Sequence, residues 1–494
     1  MTFNKLITLC EPMDVSGPEP EEIGMLRHDS RKVTGGDVFI AIRGLQSDGH
    51  QFMEEAVDRG ALVVICEEKI PLAGEAAILR VADTRALLGP LAQAYENNPA
   101  DEMNVIGITG TNGKTTVSTL VYQVLRSLDT KAALLGTVGK HIDDSVLDSR
   151  LTTSDPIELA SDMRQIADAG HTHLVMEVSS HALDQQRVSG IRFDIAAFTN
   201  LSHDHLDYHH TLRDYALAKK KLFESLDEKA TAIINGDDEQ ALFMISDTPA
   251  ETITFSFSKA LDVECQILGN STEGLVVRIG KRMIKSRLMG EFNAYNITEA
   301  FLICRALGFN DDAIAEALER APGAPGRLER VATPGDDTPV VLVDYAHTPD
   351  ALENVLRTLS ELKKDKQVLH VVFGCGGNRD KAKRPKMAAV AERYADKITV
   401  TSDNPRDEDP EAIIEDIMTG FGDPSSVERI TDRRDAIAKA IRTADKYSMI
   451  LVAGKGHETY QEIGGQRRDF DDRLVAREAL GGRNRNGNTK PAGT

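Results

Sequence analysis

A set of short, mostly apolar runs that end abruptly in glycine or polar residues constrains this chain most: HLVMEV (173–178), FDIAAF (193–198) and TAIIN (231–235), then VVLVDY, VLHVVFG, KITVTS and MILVAG. A strand with one wet face alternates apolar and polar side chains. These runs do not alternate, so both faces are covered, as in a parallel sheet layered with helices. Helical stretches lie between them, which makes the chain α/β. Open parallel sheets bind their ligands beyond the carboxyl ends of the strands, so the loops after these runs are where chemistry is expected.

At 494 residues the chain exceeds what one hydrophobic core serves, and three domains are expected. The runs DVFIAI, ALVVIC and AAILRV, with a helical stretch before Asn97-Asn98-Pro99, form a small α/β unit that closes in the polar segment 97–104. A second opens at Val105-Ile106-Gly107-Ile108. The Pro- and Gly-rich stretch from Ala321 to Arg327 marks a link to a third. The expected boundaries are 1–103, 104–327 and 328–494, and GGRNRNGNTKPAGT at the end reads as a frayed tail.

A net charge of -20 excludes nucleic acid and anionic membranes as natural partners. No apolar run reaches the ~18 residues that span a bilayer, and MTFNKLITLCEPMD is not a signal peptide, so a cytoplasmic protein without membrane insertion is expected. The five cysteines are scattered and never spaced CxxC, which argues against disulfides and structural zinc and for reduced core thiols.

The central domain opens with a strand, Thr109-Gly110-Thr111-Asn112-Gly113-Lys114-Thr115-Thr116, and a helix, VSTLVYQVLRSL. Glycines let backbone N–H groups close around phosphate oxygens, Lys114 neutralises them, and the Thr115 hydroxyl is suited to Mg²⁺. Ile108 stands where the general consensus has glycine, so the loop is a variant. A glycine-rich turn with a chance lysine is the bland reading, and the strand before and helix after weigh against it. Phosphate binding alone leaves motors, GTPases, kinases and ligases open.

TGTNGKTT resembles the ATP loop of the Mur ligase and folylpolyglutamate synthase superfamily, and later segments extend the resemblance over nearly the whole chain. It implies a small N-terminal α/β domain binding a uridine nucleotide, a central P-loop ATPase-like domain on a parallel sheet, and a C-terminal Rossmann-like α/β domain binding an amino acid. It implies that Gly110, Thr111, Asn112, Gly113, Lys114, Thr115 and Thr116 bind ATP. Glu177, at the end of MEV, and His205, in NLSHDHLD, lie in segments similar to the family's metal-binding ones, giving Thr115, Glu177 and His205 as Mg²⁺ ligands. Separately, each would read as an ion-pair partner or a hydrogen-bonded turn. His203, His209 and His210 have no such support.

In YALAKKKLF, helical spacing puts Lys219 on one face with Tyr215, Leu222 and Phe223, while Lys220 and Lys221 point elsewhere. Lys219 is therefore the lysine of the three expected to be buried. Spacing alone still leaves a solvated lysine run as the ordinary reading. The resemblance implies a carbamylated Lys219 (N6-carboxylysine) that binds a second Mg²⁺, and a catalytic set of Lys114, Glu177, His205 and Lys219.

GEFNAYN resembles the family's helix start in which Asn296 approaches adenine, and Arg327, Asp344 and His347 resemble groups that contact phosphate and ribose. The family phosphorylates a substrate carboxylate from ATP and lets an amine displace the phosphate. The tetrapeptide Asp403-Asn404-Pro405-Arg406 resembles the signature of diaminopimelate-adding members, with Arg379, Gly454 and Glu458 completing the amino-acid site. Asn378 replaces the usual Asp of GGDRD. For the UDP-N-acetylmuramoyl dipeptide the resemblance implies Ser30 in HDSR, beside the loop 44–49, and Thr152, Thr153, Ser179, Gln185 and Arg187. The expected activity joins meso-diaminopimelate to the D-glutamate of that dipeptide in peptidoglycan synthesis, by a monomer using ATP and Mg²⁺. A ligase adding another amino acid such as lysine is the alternative. A P-loop motor or GTPase leaves DNPR and GKGHE unexplained, and a non-catalytic P-loop regulatory homologue does not account for the presence of Lys114, Thr115, Glu177, His205 and Lys219 together.

Overall fold

A computed structural model describes residues 1–494 apart from 45–46, 69–74, 332–337, 365 and 487–494. Leu45 and Gln46 of the expected uridine loop thus lie outside the described residues. The chain divides into two compact units, one of Met1–Glu264 with Thr298–Ile314, the other of Cys265–Ile297 with Ala315–Thr494.

The first unit carries two sheets. In the N-terminal one, strands Leu26–Arg27, Val38–Ile40, Val63–Cys66 and Ala77–Arg80 run parallel in that order, and Asp14–Ser16 pairs antiparallel with the last. The larger sheet has parallel strands in the order Glu251–Ser256, Thr231–Asn235, Ile195–Phe198, Asn104–Thr109, His173–Glu177, Ala132–Gly136. Its inner strands are buried along almost their whole length, as non-alternating apolar runs require. Two antiparallel strands, Gly139–Ile142 and Ser145–Leu147, extend it beyond Ala132–Gly136.

Strand order reverses at Asn104–Thr109. After the next strand forms two places away, His173–Glu177 fills the gap between them, and Ile195–Phe198 adds on the opposite side. Such a reversal leaves a crevice at the carboxyl ends of the strands. The phosphate loop, Glu177 and the Asn200–His205 segment all follow strands that meet there.

The sheet of the second unit runs Glu329–Arg330, Val340–Asp344, Ser448–Ala453, Val368–Phe373, Lys397–Val400, Glu428–Arg429, with only the first pair antiparallel. The loops holding Asp344–His347, Gly374–Arg379, Asp403–Arg406 and Gly454–Glu458 all leave this sheet at carboxyl ends. Two further antiparallel features, like the antiparallel strands already described, were not expected from the sequence. One is the meander that continues from Val263–Ser271 into Gly274–Ile279 and Arg282–Ser286, and the other is the hairpin Tyr460–Ile463 with Gln466–Asp469. The expected frayed tail is corrected in part, because the final helix runs Asp472–Asn486 and takes in residues 481–486.

All five cysteines are free and buried. Among the described residues no helix is long and apolar enough to cross a membrane.

Candidate active site

The phosphate loop is built against the next strand end. Gly110 has φ +149°, and a Cβ there would fall 1.8 Å from Thr199 Oγ1, so the position admits only glycine. Asn200 braces the loop: its carbonyl accepts from Thr111 N at 2.8 Å and its side-chain oxygen from Asn112 N at 3.1 Å. Gly113, at φ +90°, turns the chain into helix Lys114–Ser127. The Lys114 ammonium folds back on the loop and donates to the carbonyls of Gly110 and Thr111, each at 2.8 Å. Thr116 is buried behind it.

Glu177 is 1% exposed. One carboxylate oxygen accepts from Thr115 Oγ1 at 2.9 Å and Thr137 Oγ1 at 3.2 Å, and the other from Thr137 N at 2.7 Å. No lysine, arginine or histidine pairs with it among the described residues, so a buried carboxylate rests on neutral donors alone. A buried charge without a counter-charge is costly, and a cation at Thr115 and Glu177 would relieve it. Both are oxygen donors, as Mg²⁺ prefers, and no three His, Cys, Asp or Glu side chains gather into a metal cage among the described residues. The residues present fit a magnesium ion. Thr137, in the turn after strand Ala132–Gly136, was not found from sequence; a lone threonine in a turn carries no pattern.

Lys219 is 1% exposed on helix Leu212–Glu224, as its spacing predicts. Its ammonium donates to Gly110 O at 2.7 Å and lies 4.3 Å from the centre of the Tyr215 ring. Burial, reinforced by the nearby charge of Lys114, drives its pKa well below the usual lysine range. Lys220 corrects the simple expectation, since its stem is also buried, although its ammonium is taken by Asp247 and Glu224. Lys221 pairs with Asp184 at the surface.

His205 sits at φ +52° and is half exposed. Its ring lies 4.9 Å from that of His181, which follows Glu177 on the short helix Ser180–Asp184, and 6.0 Å from Tyr215. Among the described contacts none joins His205 to Glu177 or Thr115. His209, left without a role above, is buried against Ser180 Oγ at 3.0 Å, with its pKa pushed down to about 4 by burial and by His181.

The five residues expected to hold the muramoyl peptide form one network. Thr153 Oγ1 donates to Glu177 O at 2.8 Å and accepts from Ser179 N at 3.1 Å, while Arg187 donates to Thr153 O at 3.0 Å and to Gln185 Oε1 at 2.7 Å. The Thr152 hydroxyl lies 3.1 Å from that of Thr137, so the network ends at the Glu177 carboxylate. In the N-terminal sheet region Ser30 donates to Glu55 at 3.0 Å. Its neighbours His28 and Asp29 line a cavity of about 530 Å³ with Arg27, Lys140, Arg150 and Asp155, and His28 pairs with Asp155 at 3.4 Å.

In the second unit, Asn296 is buried on helix Glu291–Ala306 and donates to Asn293 Oδ1 at 2.9 Å. Arg327 stacks 4.8 Å from the Tyr345 ring, and His347 Nδ1 lies 2.9 Å from Tyr345 O. Burial raises the pKa of Asp344, although Arg327 and the backbone N–H groups of Leu328 and Ala346, at 2.6 and 2.8 Å, oppose it.

The DNPR segment is buried from Asp403 to Pro405. Gly454, at φ +121°, lets Asp403 approach so closely that a Cβ would meet its carboxylate at 2.3 Å. Arg406 Nη1 donates to Gly377 O at 2.8 Å and its Nε lies 3.4 Å from a Glu462 oxygen. Arg379 is exposed. A Cβ on Gly376 would be 3.0 Å from Arg406 Nη1 and 3.8 Å from Arg379 Cγ, so the Arg406 guanidinium and the stem of Arg379 both border this glycine. Asn404 and Glu458 are joined at 2.8 Å, and the fully buried Lys455 donates to both, at 3.0 and 2.8 Å. Asn378 takes φ +53°, which asparagine tolerates, and its amide donates to Asp407 at 2.8 Å. Aspartate there would set two carboxylates against each other. Sequence reading missed Lys455, Glu462 and the wholly buried pair of Arg433 with Asp472 at 2.7 Å.

Three segments match domains of one family: residues 22–96 the Mur ligase family catalytic domain, 108–304 the Mur ligase middle domain, and 326–456 the Mur ligase glutamate ligase domain. The chain therefore belongs to the Mur ligase family and is an ATP-dependent, amide-bond-forming ligase. Among individual relatives, it is 42% identical over 484 residues, 97% of this chain and 99% of the other, to the UDP-N-acetylmuramoyl-L-alanyl-D-glutamate–2,6-diaminopimelate ligase of Cytophaga hutchinsonii. It is 43% identical over 471 residues to the enzyme of that name from Geobacillus thermodenitrificans, covering 93% of this chain and 95% of that one. A solved structure of a ligase with the same name superposes with a TM-score of 0.71 at 34% identity, over 98% of this chain and 99% of the other.

Proposed function

We propose that the chain joins 2,6-diaminopimelate, in its meso form, to the D-glutamate of UDP-N-acetylmuramoyl-L-alanyl-D-glutamate in peptidoglycan synthesis, acting in the cytoplasm. Its near full-length identity to ligases of that name supports the reading. The observation that carries it on this chain is the Arg406 guanidinium at the end of a DNPR segment, with the stem of Arg379 beside it at Gly376. A guanidinium there suits a substrate with a carboxylate to spare, and lysine has none at its side-chain end.

In this reading the domains are 1–103, 104–327 and 328–494, supported by the separate sheets. Gly110 to Thr116 hold the ATP phosphates, with Lys114 facing the charge that develops on the transferred group. Thr115 and Glu177 hold Mg²⁺, with His205 at the edge of the site. The metal, when bound, neutralises phosphate charge. Thr152, Thr153, Ser179, Gln185 and Arg187 hold the peptide so that its γ-carboxylate oxygen attacks the terminal phosphorus of ATP and ADP leaves. The amine of diaminopimelate then attacks the acyl carbon, inorganic phosphate departs and the nitrogen loses a proton.

Lys219 is carbamylated in this reading: its neutral amine attacks CO₂ and releases one proton, which turns a buried neutral amine into a carbamate anion with two oxygen donors. Burial and the adjacent Lys114 charge support it, since both disfavour an ammonium there.

Phosphate release by the purified protein with ATP, Mg²⁺ and the UDP-muramoyl dipeptide, measured against a panel of amino acids, tests the assignment. Diaminopimelate should be preferred. Equal or better turnover with lysine would overturn the substrate reading and leave the ligase standing.

A further inference from the structure

Arg406 does not stand alone in the structure. Its backbone lies in the left-handed region at φ +53°, and the hairpin Tyr460–Ile463 docks on it through the main chain. Arg406 N donates to Glu462 O at 3.0 Å, and Gly464 N donates to Arg406 O at 2.7 Å. The amide of Glu462 in turn donates to Asn404 Oδ1 at 3.0 Å, and Gln461 donates to Asp403 O at 2.6 Å. Four backbone-anchored bonds thus fix where the Glu462 side chain starts. Its carboxylate lies 3.4 Å from Arg406 Nε, with the two side chains 25% and 22% exposed.

A guanidinium binds a carboxylate best along an edge, through two parallel N–H bonds. On Arg406, Nη1 is committed to Gly377 O, and Glu462 stands at Nε. An incoming carboxylate that seeks the Nε edge must displace one that the protein already supplies. We infer that Glu462 is a positioning residue of the amino-acid site, an internal counter-carboxylate that the distal carboxylate of the substrate displaces from Arg406. This rests on reading the site as the diaminopimelate site.

The consequence is a changed basis for selectivity. With Glu462 in place, Arg406 keeps a partner when an amino acid lacking a distal carboxylate enters, so rejection of lysine is milder than an unpaired arginine would impose. The same contact weakens diaminopimelate, because part of its binding is spent on displacing Glu462.

Glu462→Gln tests this, since it keeps the shape and every main-chain bond while removing the charge. The KM for diaminopimelate should fall about two- to fivefold, the scale of a partly exposed ion pair. The preference for diaminopimelate over lysine should widen by a similar factor, with the KM for ATP unmoved. In an Arg406→Ala background the same substitution should do nothing. If Glu462 served only to hold the hairpin, KM would instead rise and the effect would survive without Arg406; that result, or an unchanged KM, overturns the inference. The unsubstituted enzyme separates the two failures. If it does not incorporate diaminopimelate, the substrate reading falls and takes the inference with it; if it does but the Glu462→Gln KM does not drop, the inference alone falls.

Discussion

Lys114 and Lys219 donate to one oxygen, the carbonyl of Gly110, at 2.8 and 2.7 Å. Two ammonium groups on a single acceptor repel each other, and one of them is fully buried. The arrangement is relieved if either changes its charge or swings to a phosphate. In the proposed mechanism Lys114 does the second and Lys219 the first.

For Lys219, replacement by Ala should cripple turnover, and millimolar short carboxylic acids added to the assay should restore part of it by supplying the missing oxygens. Lys221→Ala should be catalytically silent, and Lys220→Ala should leave turnover intact, since its ammonium is engaged with Asp247 and Glu224. Equal losses at all three positions, or no rescue, would remove the carbamate from the mechanism.

For Lys114, Ala should lower kcat by about two to three orders of magnitude, on the order of 3 to 4 kcal/mol, as loss of other groups that stabilise developing charge does. Circular dichroism and the thermal midpoint should barely move. A mutant with near-normal turnover would show that the loop does not serve the transferred phosphate.

Thr137 grips both oxygens of Glu177 and was invisible in the sequence. Thr137→Val removes its hydroxyl but keeps the backbone donor and the size. The Mg²⁺ concentration for half-maximal activity should rise by about tenfold or more, the usual cost of removing a group that orients a metal ligand. An unaltered magnesium titration would mean that Glu177 is oriented without it.

Arg406→Ala should lower kcat/KM for diaminopimelate by roughly ten- to a hundredfold, the range for a hydrogen-bonded charge pair. A larger cost would hold only for an arginine that is buried and otherwise unpaired, and Glu462 makes that picture too severe here. Arg406→Lys should recover little, because a point charge does not reproduce the fork. Unchanged diaminopimelate kinetics in Arg406→Ala would move the carboxylate site elsewhere.

Stability supplies an independent check. Arg433 and Asp472 are both fully buried and paired through two hydrogen bonds, at 2.7 and 2.8 Å. Breaking the pair with Asp472→Asn should destabilise the protein by about 3 to 5 kcal/mol, read as a lower urea midpoint, whereas Arg433→Met with Asp472→Leu should cost less. If the double replacement were the worse of the two, the pair would be a net contributor rather than a charge that must not be orphaned.

How much of this was readable in advance follows from what kind of signal each residue carries. The sheet strands were legible because non-alternating apolar runs admit few alternatives, and the loops after them because glycine clusters mark where a chain turns at a strand end. Lys219 was separable from its neighbours by helical spacing alone. Lys220 was not, because an ion pair with Asp247 lets a lysine stem bury itself at a position that periodicity assigns to solvent. Glu462 was hidden in a hairpin whose strands are half-buried or exposed throughout, so no apolar alternation announced it. Arg433 and Asp472 are 39 residues apart, and only the fold brings them together.

The Gly110 carbonyl gathers both lysines, yet the residue that owns it has nowhere to put even a methyl group, with Thr199 Oγ1 1.8 Å from where a Cβ would stand. An inhibitor anchored on that oxygen would therefore press on a part of the enzyme with no side chain to change. Resistance would have to arise from residues around it, Thr199 first, at the risk of the loop itself.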